Sequence, residues 1–501
     1  MDLQKNKSQL LTDNEQPIIA LCTPRGSGAI ALIRLCGPTA VAVVDSFAQL
    51  SSGKKLVDCA THTIHYGFIT GEEHKRACPP PFDRLPSTHK ATTGHGRVSA
   101  NTTHIDSVLF LLMKAPKTFT GQDTVEITCH NNPFIIDRII EIAIQAGARQ
   151  AHAGEFTRRA FLNKKIDLVQ AEAVADVIHA QSEEALVRSM ATLEGSLSHA
   201  VASIKKQIVT LLAFVEASFE FLDEEQRDFD FDHEIKRQLE AIQESVASVK
   251  KDYPLQQQIK EGLRLVILGS VNVGKSTLFN ALLDKERAIV SPIAGTTRDT
   301  IDATVYKNGA FWSFVDTAGL RQTGDIIEQQ GIERSMQQAS MADVIVLVLD
   351  GSIPLLDHEQ KEYQKILDLY ESKSIIVINK IDKNNKIEQH QHPLITKAPV
   401  VYTSAHCRKG LDTLEHAIEE KKQSLFSRCE TPFLLNQRQC SLLGQIEQDL
   451  GSLALQMRDS LHYELVAYQL HNVGQKASEL TGEKISEQVL DTIFNQFCVG
   501  K

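Results

Sequence analysis

Gly269-Ser270-Val271-Asn272-Val273-Gly274-Lys275-Ser276 is a run whose residue types and spacing suit it to hold a polyphosphate. The glycines let backbone N–H groups, those of Val273 and Gly274 among them, close around phosphate oxygens. Lys275 then supplies a cation for the β- and γ-phosphates, Ser276 offers a hydroxyl to Mg²⁺, and Thr277 follows in the same turn. A phosphate loop alone does not choose the base. Asn379-Lys380-Ile381-Asp382 does, because a carboxylate at Asp382 accepts both the N1–H and the exocyclic amine of guanine, a pair that adenine does not present.

These side chains need strands and helices to aim them. The apolar run Leu265 to Leu268 reads as a buried strand of a parallel sheet, and Thr277-Leu-Phe-Asn-Ala-Leu-Leu continues at helical spacing. A helix that starts at the loop turns its positive end towards the phosphates. Asn379 follows the strand-like Ser374 to Ile378. Ser404-Ala405-His406 follows Val400 to Tyr402, where the last base-contacting loop of a GTPase belongs. Asp316-Thr317-Ala318-Gly319, after Phe311 to Val315, resembles the GTPase loop that holds Mg²⁺ through a water and senses the γ-phosphate. Gly295-Thr296-Thr297-Arg298-Asp299 resembles a first switch, with Thr297 as a Mg²⁺ ligand. Four motifs in this order predict a Ras-like P-loop domain with GTP as substrate.

At 501 residues the chain exceeds a single core and is expected to hold several domains. Apolar content of 42% and charged content of 23% are those of a soluble globular protein. A net charge of −10 argues against RNA binding by bulk electrostatics, though not against a local basic patch. No apolar run reaches the length of a membrane span and the first residues lack a signal-peptide core, so a cytoplasmic location without membrane attachment is expected. Nine cysteines without C-x-x-C spacing read as reduced thiols rather than a disulfide frame, and no zinc site is visible.

Read in order, residues 1–150 form an α+β domain. Pro17 to Leu21, Ala29 to Arg34 and Ser107 to Met113 read as strands, and Phe134 to Ile144 as an amphipathic helix. Within it, 74–103 is a polar, Pro- and His-rich loop insertion; its three prolines, Pro79 to Pro81, are either a polyproline ligand or plain surface loop. Residues 151–260 are the first part of a helical domain. One pattern starts at Asp167 and runs towards Leu222, an acidic stretch follows from Glu216 to Asp232, and helix resumes from Ile235 to Val249 until Pro254 breaks it. The GTPase domain, 261–424, has a mostly parallel sheet with flanking helices and is inserted into the helical material. The second helical part is 425–501, with helices over Arg438 to Leu470 and Ser486 to Phe497.

Thr23-Pro24-Arg25-Gly26-Ser-Gly28, Phe119-Thr-Gly121-Gln-Asp-Thr-Val-Glu126, Gly154-Glu155-Phe156 through Asn163-Lys-Lys165, and the terminal Cys498-Val499-Gly500-Lys501 together resemble the MnmE (TrmE) tRNA-modification GTPase family. The resemblance spans the chain outside 74–103. It implies a homodimer that works as a heterotetramer with the FAD-binding partner MnmG (GidA) on tRNA, adding a carboxymethylaminomethyl or aminomethyl group at C5 of the wobble uridine. It also implies a one-carbon donor, 5-formyl- or 5,10-methylene-tetrahydrofolate, held in the N-terminal domain by Arg34, Glu126, Lys165 and Lys501. A pterin edge suits a carboxylate and the anionic folate tail suits cations. Cys498 matches the family's C-terminal cysteine and is a candidate thiol for the modification chemistry. The chain departs from the family at His130-Asn131-Asn132, where glycines are usual, at Val499, and at Val271, where proline is common. A glycine position often needs positive φ, which Asn tolerates better than most residues.

For hydrolysis, Leu320 stands where Ras-like enzymes place a water-orienting glutamine. The resemblance moves that task to Glu328 and replaces an arginine finger with K⁺. The K⁺ ligands it implies are Asn272, Ser291, Ile293 and Thr296, within a first switch, Ser291-Pro292-Ile293-Ala294-Gly295-Thr296-Thr297, that wraps the nucleotide as two GTPase domains pair. Arg298 and Arg321 are the alternative fingers. A different class, a ribosome-assembly or stress GTPase acting as an RNA-binding switch, predicts a basic RNA-binding module such as a GXXG-loop domain, and the sequence has none.

Overall fold

A computed structural model describes residues 15–26, 28–72, 102–218, 231–283, 303–307, 309–316, 336–383, 394, 398–457 and 462–500. Contacts divide the chain into two compact units, Met1–Ala171 with Lys484–Lys501, and Glu172–Glu483.

Alternating apolar residues build the first unit. Its strands are β1 (Ile18–Leu21), β2 (Ile30–Cys36), β3 (Ala48–Leu50), β4 (Thr63–Glu72), β5 (Thr102–Met113), β6 (Thr124–His130) and β7 (Arg149–Gln150), in the order β3-β4-β5-β6-β2-β1-β7. All pairs are antiparallel except β1 with β7. Every second residue, among them Ile33, Leu35, Phe110, Leu112, Val125 and Ile127, is buried in one core with helices α1 (Ala40–Asp45) and α2 (Pro133–Gln145). The period of two puts the intervening residues on the other face, where Ile64, Tyr66 and Leu109 are exposed. Strands β4 and β6 were not expected from the sequence; Gly67 and the short polar alternation of Thr124–His130 blur both. Gly67 is required, since a Cβ there would stand 2.5 Å from the carbonyl oxygen of Gln49.

Asn132 caps α2 by accepting the Phe134 N–H at 2.9 Å, in an extended conformation with φ −113°. Neither Asn131 nor Asn132 has positive φ, so the replacement of glycines costs no backbone strain here. Helix α3 (Glu155–Leu162) packs on the C-terminal helix Glu487–Phe494 through Arg158, which is paired to Glu487 and Asp491, and through Phe161 against Phe494. Gly154, at φ 65°, makes that approach possible: a Cβ would lie 2.6 Å from the Phe494 carbonyl oxygen.

The boundary between the units falls within α4 (Leu168–His179), and the second unit continues with α5 (Glu183–Leu193), α6 (Ser196–Ser218), α7 (Phe231–Lys250) and α8 (Tyr253–Glu261). The single pattern expected from Asp167 towards Leu222 is therefore three helices. Ser182 caps α5 by accepting Ala185 N–H, and Gly195 separates α5 from α6. Pro254 does not break a helix. It occupies the first turn of α8, where a missing N–H costs nothing.

A six-stranded sheet follows, built from β8 (Leu263–Leu268), β9 (Ala303–Lys307), β10 (Ala310–Asp316), β11 (Val344–Asp350), β12 (Ser374–Asn379) and β13 (Val400–Tyr402), in the order β13-β12-β11-β8-β10-β9. Only β9 with β10 is antiparallel. Both faces are apolar because both are covered: α9 (Lys275–Leu283) and α11 (Leu411–Phe426) on one side, α10 (Asp357–Tyr370) on the other. After the sheet come α12 (Gln437–Gln456) and α13 (Tyr463–Thr481), with a break between them inside the expected Arg438 to Leu470 helix. They pack with α6 and α7, so helices on both sides of the GTPase segment share one bundle. Among the described residues no helix is long and apolar enough to cross a membrane.

Candidate functional site

The C-terminal ends of the parallel strands gather the nucleotide motifs at one edge of the sheet, the usual place for a ligand in an open α/β fold. Leaving β8, Gly269 takes φ 148°, and a Cβ there would stand 2.3 Å from the Val348 carbonyl oxygen. Asn272 is left-handed at φ 65° and Gly274 has φ 99°. A Cβ on Gly274 would meet the Asn379 amide nitrogen at 2.5 Å, so only glycine lets the loop lie against β12. The amino group of Lys275 donates to the carbonyl oxygens of Gly269 at 2.7 Å and Ser270 at 2.8 Å, which folds the side chain back onto the start of the loop. Ser276 and Thr277 are exposed in the first turn of α9.

Asn379 ties this loop to the loop after β13, one of the two expected to read the base. Its amide N–H donates to the Val273 carbonyl at 2.9 Å, and its oxygen accepts the Ala405 N–H at 3.0 Å and the Thr403 hydroxyl at 3.2 Å. It is buried, and both ends of its amide are used by the protein. Asn379 therefore positions the loops. Lys380, at φ 65°, donates to the Asn272 carbonyl oxygen at 2.5 Å and to Asp350 at 2.7 Å. Burial pushes the Asp350 carboxyl up, but its hydrogen bonds from Lys380 and Ser352 outweigh that and leave it below the usual range. Asp350 was missed from the sequence; its signal is an acid closing a buried apolar strand, Val344 to Leu349.

Asp382 and Ser404 meet where guanine would be read. The Ser404 hydroxyl donates to the Asp382 carboxylate at 2.5 Å and accepts the Cys407 N–H at 3.2 Å. That hydroxyl holds the Asp382 carboxyl below its ordinary pKa, so it is ionised at neutral pH. His406 is exposed beside it. Asp316 ends β10 alongside Ile267 of β8. The other expected nucleotide residues, Ser291, Pro292, Ile293, Ala294, Gly295, Thr296, Thr297, Thr317, Ala318 and Gly319, lie outside the described residues, as does Glu328.

The first unit holds the second candidate site. Arg34 and Glu126 face each other across β2 and β6, with Nε to Oε1 at 2.8 Å. They are 25% and 14% exposed, so the pair is partly shielded yet reachable from solvent. Arg34 also lies 5.5 Å from the Phe156 ring centre and donates to the Gly500 carbonyl oxygen at 3.2 Å. The chain end is brought there by an antiparallel bridge between Ala153 and Val499. Lys501 lies outside the described residues. Lys165 is exposed and donates to the Pro116 carbonyl oxygen at 2.9 Å, its stem against Gly121. Cys498 is exposed, while Cys22, which the sequence did not single out, places its thiol 3.2 Å from the Gly500 carbonyl oxygen.

Residues 17–165 match the family described as GTP-binding protein TrmE N-terminus, and residues 168–498 match the MnmE helical domain. A tRNA modification GTPase MnmE from Lachnoclostridium phytofermentans is 34% identical over 97% of this chain and 99% of its own length. The protein of the same name from Thermotoga maritima is 36% identical, and that from Bacillus subtilis 34%, each over 97% of this chain and 99% of its own.

Proposed function

The chain belongs to the MnmE family of tRNA modification GTPases, and on that premise we propose that it hydrolyses GTP within a complex that modifies C5 of the wobble uridine of certain tRNAs. The observation that carries the GTPase half is the coupling of the phosphate loop to the guanine-reading carboxylate through Asn379, Lys380 and Ser404. Lys275, released from the Gly269 and Ser270 carbonyls, pairs with the β- and γ-phosphates, and Asp382 accepts the two guanine N–H groups. The ribosome-assembly alternative is not favoured, because the relatives that match over 97% of the chain bear the name of a tRNA modification GTPase.

The finer assignments are part of the same proposal. Ser276, with Thr297, would hold Mg²⁺, and Asn272, with Ser291, Ile293 and Thr296, would hold K⁺. Ser276 and Asn272 offer exposed oxygen donors, the donor class these hard cations prefer. Bound there, the two cations offset charge on the phosphates. Glu328 orients the attacking water. In the first unit, Arg34, Glu126 and Lys165, with Lys501, would bind a formyl- or methylene-tetrahydrofolate that supplies a one-carbon unit. The meeting of Arg34, Glu126 and the chain end supports that set, since an accessible guanidinium and carboxylate fit an anionic, amide-edged ligand. The exposed apolar face with Ile64, Tyr66 and Leu109 supports a homodimer through this domain. An FAD-binding partner, MnmG, completes the cytoplasmic complex, and Cys498 is a candidate thiol in its chemistry.

Phosphate release in KCl and in NaCl, with the parent and with Glu328→Ala, tests the hydrolytic step. The expected result is faster hydrolysis in KCl, and a loss on the order of 10²–10³-fold in Glu328→Ala with GTP affinity kept. Parent-level turnover in that variant together with equal rates in both salts overturns this mechanism.

A further inference from the structure

We infer that Glu359 and Tyr363 of α10 are positioning residues for the phosphate-binding loop, acting through the side chain of Ser270. The inference rests on the reading that this loop binds a guanine nucleotide. Ser270 is the second residue of the loop, and its hydroxyl is hydrogen-bonded to Oε1 of Glu359 and to the Tyr363 hydroxyl, the latter at 2.5 Å. Glu359 and Tyr363 are four residues apart and so share one helix face. Tyr363 is only 3% exposed, in a core with Ile366 and Leu367 under the sheet. The anchor is therefore a fixed point of the domain, with Glu359 and Tyr363 standing 89 and 93 residues in sequence from Ser270.

The loop needs such an anchor. Val271 is 85% exposed and contributes no buried side chain. Asn272 follows in the left-handed region, which non-glycine residues populate sparingly. The Asn272 carbonyl oxygen is held by Lys380, and the Ser270 carbonyl oxygen by Lys275. The loop is thus fastened on both sides of Val271, at Ser270 to α10 and at Asn272 to the guanine motif. Without the first fastening, residues 270–272 relax towards an ordinary conformation, and the N–H groups that follow leave the arc a phosphate requires.

The test is the release rate of a fluorescent GDP from the full-length chain, measured by stopped flow. Tyr363→Phe, which removes one of the two hydrogen bonds on the Ser270 hydroxyl, should speed release by about tenfold, and Ser270→Ala, which removes both, by at least as much. The double variant should be no faster than Ser270→Ala, because Ser270→Ala already removes the hydrogen bond that Tyr363→Phe breaks. Ser270→Thr, which keeps the hydroxyl, should restore the parent rate. A Tyr363 that serves only the core of α10 would lower the melting temperature and leave release unchanged. That outcome, or release from Ser270→Ala within about twofold of the parent, or additive effects in the double variant, overturns the tether. A parent chain that takes up no GDP overturns the nucleotide reading itself.

Discussion

The Ser404 hydroxyl donates to Oδ1 of Asp382 at 2.5 Å, so the loop after β13 fixes the carboxylate proposed to read the base. The same hydroxyl accepts the Cys407 N–H, so one side chain fastens its own loop and ties that loop to Asp382.

Asp382→Asn should weaken GTP and strengthen xanthosine triphosphate, because the 2-position of the base changes from an amine donor to a carbonyl acceptor. Loss of a charge-assisted pair costs roughly 1.5–3 kcal/mol. Titration with both nucleotides checks this; an unchanged GTP affinity would remove Asp382 from the base site.

The three expected nucleotide loops among the described residues were legible as loops because each directly follows its own strand. Leu265 to Leu268 and Ser374 to Ile378 are buried runs, Val400 to Tyr402 is a short strand with Val401 buried, and the loops follow directly. The links between motifs were not legible. Asn379 to Val273 and Ser270 to Tyr363 are joined only by the packing of distant strands and helices, so no local pattern marks them. Helix ends failed for a related reason. Pro254 carries the same letter whether it stops one helix or starts another, and only the position of α8 decides. In the first unit, Arg34 and Glu126 are ordinary surface charges in sequence; the β2–β6 register makes them partners.

Glu126→Ala leaves Arg34 without its carboxylate and removes the acceptor proposed for a pterin edge. Calorimetry on the full chain should show 5-formyl-tetrahydrofolate binding in the parent and its loss in the variant. Equal affinity in both would place the folate pocket elsewhere.

Thiol reactivity should divide by burial. Burial, with Asp106 nearby, pushes the Cys129 thiol up to about 12, and burial likewise raises Cys36. A raised pKa keeps a thiol protonated and unreactive at neutral pH, and its thiolate forms only as pH climbs towards that value. Cys407 and Cys498 are exposed. Iodoacetamide at pH 7.5 followed by peptide mass spectrometry should therefore label Cys407 and Cys498 first, with Cys36 and Cys129 labelled only on unfolding. Labelling of Cys129 at the rate of Cys498 would contradict the packing of β6.

Mass spectrometry of tRNA nucleosides from cells lacking the protein tests the role of this GTPase in wobble-uridine modification. Deletion should abolish the C5 aminomethyl-type group at the wobble uridine. The intact gene should restore it, and a Lys275→Ala gene should not, because its phosphate loop lacks the pairing cation. An unchanged set of wobble uridines in the deletion strain would contradict that role, whatever the protein's GTPase activity.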